Sequence, residues 1–207
     1  MLVALAAFSV AAILIVLLPG PDTLVVVRNV TRGGVRRGVA TVIGVNVGLL
    51  LWVAVAALGL AAVLRASHVA YDILRVVGAG YLIWLGLQSW RGRSRTGAEP
   101  DADRPARRGL LGSGFGAGLA TNLLNPKVGV FFVTFLPGFV PPGYPVAPMV
   151  VLFGAVFIAL NVAYFVVLLA LADRVTSWMG TATVRRRFEV VTGTVLVAFG
   201  VRLAVES

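Results

Sequence analysis

Six nearly continuous apolar stretches divide this sequence, and short polar or proline-rich segments separate them. They run roughly from Leu2 to Leu18, Val39 to Leu64, Val69 to Trp90, Leu110 to Phe135, Met149 to Ala172 and Phe188 to Val205. A helix needs about 17 to 25 residues to cross a bilayer's hydrocarbon core, and each stretch is near that length. The pattern predicts an all-α integral membrane protein with six transmembrane helices, folded as a single domain over residues 1–207. Two stretches are interrupted: Pro19-Gly20-Pro21-Asp22 closes the first, and Asn125-Pro126-Lys127 cuts the fourth. Proline has no amide donor and cannot continue a helix ladder, so helices 1 and 4 are predicted to break at Pro19, Pro21 and Pro126. Between Pro137 and Pro148, five prolines predict a loop without regular helix.

Charge adds an orientation. Arg28, Arg32, Arg36 and Arg37 lie between the first two stretches, six arginines between the third and fourth, and Arg174, Arg185, Arg186 and Arg187 between the last two. The other connections carry almost none. Positive loops stay in the cytoplasm, which puts both termini of this multi-pass protein outside. The net charge of +10 is therefore spread over alternate loops, and nucleic-acid binding is not expected. With 59% hydrophobic and only 13% charged residues, the chain exceeds the apolar share of soluble domains, and its principal partner is the lipid bilayer. The first stretch lacks a basic leader and a small-residue cleavage site, so it reads as a span and not a signal peptide. There are no cysteines and one histidine, His68, so no metal site is predicted. No triad, phosphate loop or metal cluster points to an enzyme, and no cofactor is implied.

The halves repeat. Val76-Val77, Leu82 and Gly86 recur as Val190-Val191, Leu196 and Gly200; Asn46-Val47 recurs as Asn161-Val162; Leu17-Leu18 recurs as Leu123-Leu124. A unit with an odd number of spans must re-insert upside down. The sequence thus predicts two inverted three-helix repeats, residues 1–90 and 109–207, joined by a polar cytoplasmic linker over 91–108.

The breaks carry the chemistry. Asp22 falls in the first turn after Pro21, where a negative charge suits the positive end of a helix dipole. Asn125 is a good N-cap, Pro126 suits the first helical position, and Lys127, the sole lysine, brings a cation to an end already positive. Ionisable groups inside a membrane cost about 2.5 to 3.5 kcal/mol each, so they are usually functional or paired. An amino acid would satisfy both, with its carboxylate at Lys127 and its ammonium at Asp22. Gly20, Asn46 and Asn161 complete the predicted substrate-binding set. Two blander readings stay open: Asp22 and Lys127 pair with each other, and Asn46 and Asn161 only join helices. Glycines at 112, 114, 116 and 118 predict close helix packing.

Pro19-Gly20-Pro21-Asp22-Thr23, the Arg32 to Gly38 turn, the glycine-spaced second span, and Asn125-Pro126-Lys127 followed by Phe131-Phe132 and Phe135-Leu136-Pro137 together resemble the LysE/RhtB family of bacterial amino-acid exporters. That resemblance implies a six-span secondary active exporter of amino acids or related metabolites in the bacterial inner (cytoplasmic) membrane, driven by the proton motive force. The alternatives are a channel or ion-translocating protein, and a non-transporting lipid-handling or scaffold subunit. A homodimer is left open.

Overall fold

The structure, a computed structural model, describes residues 1–66, 68–91, 114–171 and 182–205. Nearly all of the predicted linker, together with Gly112, Arg174 and Trp178, lies outside those residues. Among the described residues the chain is all helix and carries no strand: α1 Leu2–Leu17, α2 Pro21–Ala66, α3 His68–Trp90, α4 Gly114–Leu123, α5 Pro126–Val130, a π-helical segment Phe131–Phe135, a 3-10 segment Leu136–Phe139, α6 Val146–Ala170 and α7 Ala182–Val205.

Two of these helices, Pro21–Gly59 and Val146–Ala170, are long and apolar enough to cross a membrane, and a third span is formed if Gly114–Leu123 and Pro126–Phe139, bent by 52°, count as one. Leu2–Leu17 and Val190–Val205 are apolar but shorter.

Hydropathy places some boundaries differently from the backbone. The helix of the second stretch begins at Pro21 and not near Val39, because hydropathy reports where lipid is and not where helical hydrogen bonds start. Within the Arg32 to Gly38 segment only Gly33 (φ −147°, ψ 15°) and Gly34 (φ 71°, ψ 179°) leave helical geometry. Gly34 takes the left-handed φ that L side chains avoid. The two rods of α2 fold back on each other there. Asn29 Nδ2 donates to Thr41 Oγ1 at 2.9 Å, a pair that would be about 18 Å apart along one straight helix. At the other boundary, α6 starts at Val146 with Pro145 as its N-cap, so Pro148 lies in the first turn, where its missing N–H costs no bond.

Small residues set the packing. Gly44 of α2 lies against the backbone of Phe115, and Gly114 and Gly118 of α4 lie against the backbones of Arg37 and Thr41. Backbones in a membrane approach this closely only where side chains are absent. The α3–α7 pair repeats the device, with Gly86 against Gly193 and Gly200 against Ala79 and Ile83. At its end, Trp90 Nε1 donates to the Val190 carbonyl at 3.2 Å, and Arg186 donates to the Trp90 carbonyl at 2.7 Å, a cation at the negative end of α3. An aromatic core fills the centre. Phe8 stacks on Phe153 at 4.7 Å and meets Phe139 edge-on at 5.4 Å, while Phe131 and Phe157 lie 5.1 Å apart.

Gly118→Leu is expected to lower the melting temperature in detergent, because its Cβ would press on the Thr41 carbonyl; overpacking costs about 1 to 3 kcal/mol. Gly59→Leu, with open space around it, is expected to leave the melting temperature unchanged.

Candidate functional site

Each break follows from its own residues. α1 ends at Leu17, and Leu18 turns extended (φ −75°, ψ 108°) with its N–H directed back to the Ile15 carbonyl at 3.3 Å. Pro21 then starts α2, and the Leu24 N–H reaches the Gly20 carbonyl at 3.0 Å, the first bond of the new ladder. At the second break Asn125 is extended (φ −78°, ψ 105°) and takes the N-cap position. Its Oδ1 accepts from the Lys127 N–H at 3.1 Å, and Pro126 opens α5.

The charged residue of each break serves the other break. Asp22 Oδ2 accepts from Asn122 Nδ2 at 2.9 Å and from Asn125 Nδ2 at 3.2 Å. Lys127 Nζ donates to the carbonyls of Leu18 at 3.0 Å and Ile15 at 3.3 Å. The sequence placed the Lys127 cation at the positive start of its own helix; the structure instead carries its side chain to the carbonyl end of α1, the negative end of that dipole. Gly20 lies beside the ammonium, where a Cβ would sit 3.4 Å from Nζ, in ordinary contact. Among the described residues Asp22 and Lys127 form no ion pair within 4.0 Å. Two of the three Lys127 donors are engaged, and Asp22 Oδ1 is buried with no hydrogen-bond partner.

Gly20, Asp22, Asn125, Lys127 and Asn161 all line one cavity, together with Phe131 and Phe157. Asn46 stands behind it: Asn161 Nδ2 donates to Asn46 Oδ1 at 3.1 Å, and Asn46 Nδ2 donates to the Val42 carbonyl at 2.8 Å. Asn46 therefore holds Asn161 and does not line the cavity. Pro19, Pro21 and Pro126 shape the backbone only. Tyr81 and Trp84 pack on each other, ring centroids 5.4 Å apart, away from the lining. The cavity has about 30 Å³ of room for water centres. One water needs about 10 to 15 Å³ of such volume, so this conformation holds a few waters and is too small for an amino acid.

Three further residues belong to the site although the sequence did not single them out. Asn122 is fully buried and holds Asp22. A lone amide inside the apolar α4 gave no spacing signal, since Asn125 lies past the end of that helix in extended backbone. Thr23 and Tyr164 line the cavity and share a hydrogen bond of 3.3 Å. Tyr164 lies one turn beyond Asn161, a spacing that could have revealed it.

Relatives cover nearly the whole chain. A membrane protein of Bacillus subtilis, YrhP, is 30% identical over 205 residues, covering 96% of this chain and 97% of that one. A homoserine/homoserine lactone efflux protein of Salmonella typhimurium is 29% identical over 173 residues, 84% of this chain and 82% of that one. No solved structure matches significantly. The sequence profile of the LysE type translocators matches residues 13–207, so the chain belongs to that family and is a membrane transporter, not an enzyme.

Proposed function

We propose that this protein is a secondary exporter of amino acids or closely related small metabolites across the bacterial cytoplasmic membrane, coupled to the proton motive force. The observation that carries the reading is the reciprocal clamp, which brings a carboxylate and an ammonium from two broken helices to one small cavity. A zwitterion is the complement of that lining. Its ammonium goes to Asp22 and its carboxylate to the Lys127 donor not used by α1. The Salmonella relative is named for homoserine and its lactone, which makes L-homoserine the first substrate to try.

The small cavity must enlarge to admit substrate, and the inverted-repeat reading supplies the motion: one repeat rocks against the other around the breaks. Contacts between matching residues support that reading. A two-fold axis brings equivalent residues together, and Asn46 bonds its counterpart Asn161 while Gly86 and Gly200 sit in the same α3–α7 seam. Asp22 and Lys127 each reach the other's break. The arginines at 28, 32, 36 and 37 flank the Gly33-Gly34 turn, which the positive-inside rule places in the cytoplasm.

Vesicles of purified protein, loaded with labelled L-homoserine and given a proton gradient, are expected to lose label faster than empty-lipid controls. An uncoupler should return the rate to the control. Flux that persists with the uncoupler would indicate a channel, and absence of flux across a screen of amino acids would sink the exporter reading.

A further inference from the structure

Two buried acceptors beside the cavity have no donor. Asp22 Oδ1 is one, and Asn122 Oδ1 is the other. They belong to side chains already joined, since Asn122 Nδ2 donates to Asp22 Oδ2 at 2.9 Å. That bond fixes the amide orientation: a flipped Asn122 would turn its oxygen toward the carboxylate. Asn122 cannot turn away, because it is fully buried and packs on Gly48 of α2, where a Cβ would overlap its amide. A buried acceptor without a donor costs about 1 to 3 kcal/mol, so two on neighbouring groups call for a shared explanation.

A single proton supplies it. When a carboxyl and a primary amide face each other, the amide N–H donates to one carboxyl oxygen, and the acid O–H on the other oxygen donates to the amide carbonyl. Half of that ring is present as the Asn122–Asp22 bond, and the two oxygens without donors are the atoms that the proton of the other half would join. We propose that Asp22 and Asn122 form a proton-binding pair at the breaks, and that the substrate's ammonium displaces this proton by donating to the same two oxygens. Asn122 is then a positioning and specificity residue that accepts from whichever donor is bound. The displaced proton passes to water in the cavity. No covalent bond to the substrate is made.

The titratable neighbours on this cavity are few. α5 contributes Lys127, whose ammonium is turned to the Ile15 and Leu18 carbonyls, and α6 contributes Tyr164, bonded to Thr23. α1 brings only Ile15, Val16 and Leu18, and α4 brings no ionisable group to it. Proton and ammonium exclude each other at one pair of oxygens, which would couple one inward proton to one outward amine. That exchange rests on the exporter reading; the proton pair itself does not.

Infrared difference spectra of the protein in lipid nanodiscs, acid against alkaline, test the pair with protons as the probe. A protonated-carboxyl C=O band is expected that Asp22→Asn removes and Asn122→Leu, similar in volume, shifts. Saturating L-homoserine should bleach the band and release about one proton per molecule bound, read with a pH dye. The pair is overturned by the absence of such a band at neutral pH, by its survival in Asp22→Asn, or by an unchanged position in Asn122→Leu. A water bridging the two oxygens would give the first of these results. Homoserine that binds without bleaching the band overturns the exchange. Homoserine that fails to bind beside an intact Asp22 band overturns the substrate reading and leaves the pair standing.

Discussion

Lys127→Met is expected to reduce export to background while the protein stays folded and extractable. Met keeps the length and apolar stem of the side chain but removes the ammonium that joins α5 to the Leu18 and Ile15 carbonyls. The Ile15 carbonyl still accepts from the Leu18 N–H, and the Leu18 carbonyl can turn to water in the cavity, so the stability loss is modest. Transport has no such substitute. A charge-assisted hydrogen bond to substrate contributes about 1.5 to 3 kcal/mol, so binding of a zwitterion should weaken by about tenfold to a hundredfold or more. Loss of the clamp on α1 adds to this. Lys127→Arg is the informative control. The compact ammonium sits beside Gly20 and bonds the Leu18 and Ile15 carbonyls, and a larger planar guanidinium cannot take that position without displacing them, so Arg should fail to rescue. Export assays with thermal unfolding of the same preparations check both variants. Full activity in Lys127→Arg would reduce the role of this residue to charge alone.

The sequence exposed the parts of the site that depend on local rules. Pro21, Asn125 and Pro126 announce helix starts because their backbone preferences act over one turn, and the structure starts α2 and α5 at those residues. The apolar stretches announce the helices for a similar reason: each is long enough to declare its environment. What the sequence did not expose is where the charged side chains go. Lys127 looked misplaced against its own helix dipole, and only the docking of α5 against the end of α1 shows that its long stem spans to the opposite pole of a different helix. Asn122 was passed over because a lone amide in an apolar helix has no distinctive spacing until its partner, Asp22, is brought beside it from a hundred residues away. The Gly33-Gly34 fold-back was placed within a broader turn, since arginines favour helix as readily as the surrounding loop. In each case the missing information was a tertiary approach, and the glycines at 44, 114 and 118 are what allow that approach between α2 and α4.

The double variant Asp22→Asn with Lys127→Met is expected to melt at a higher temperature than either single variant and to export nothing. At alkaline pH, where Asp22 has given up its proton, each single change leaves one unbalanced charge at a site removed from bulk water, which insertion scales put at about 2.5 to 3.5 kcal/mol per ion. Removing both charges removes both penalties. Asn at position 22 keeps an oxygen that accepts from Asn122 and Asn125, so the break itself stays bonded. Groups coupled this way show interaction energies of about 0.5 to 3 kcal/mol in a double-mutant cycle, even without a direct ion pair between them. Unfolding free energies of the four proteins, measured in one detergent, give that coupling. An additive result would mean that water, not the opposite charge, balances each group. Activity distinguishes the structural role of the charges from their functional one. If the two charges only held the breaks together, the double variant would recover export along with stability. If they hold the substrate's two poles, stability returns and export does not, and export by a chargeless cavity would remove the zwitterion from the proposed mechanism.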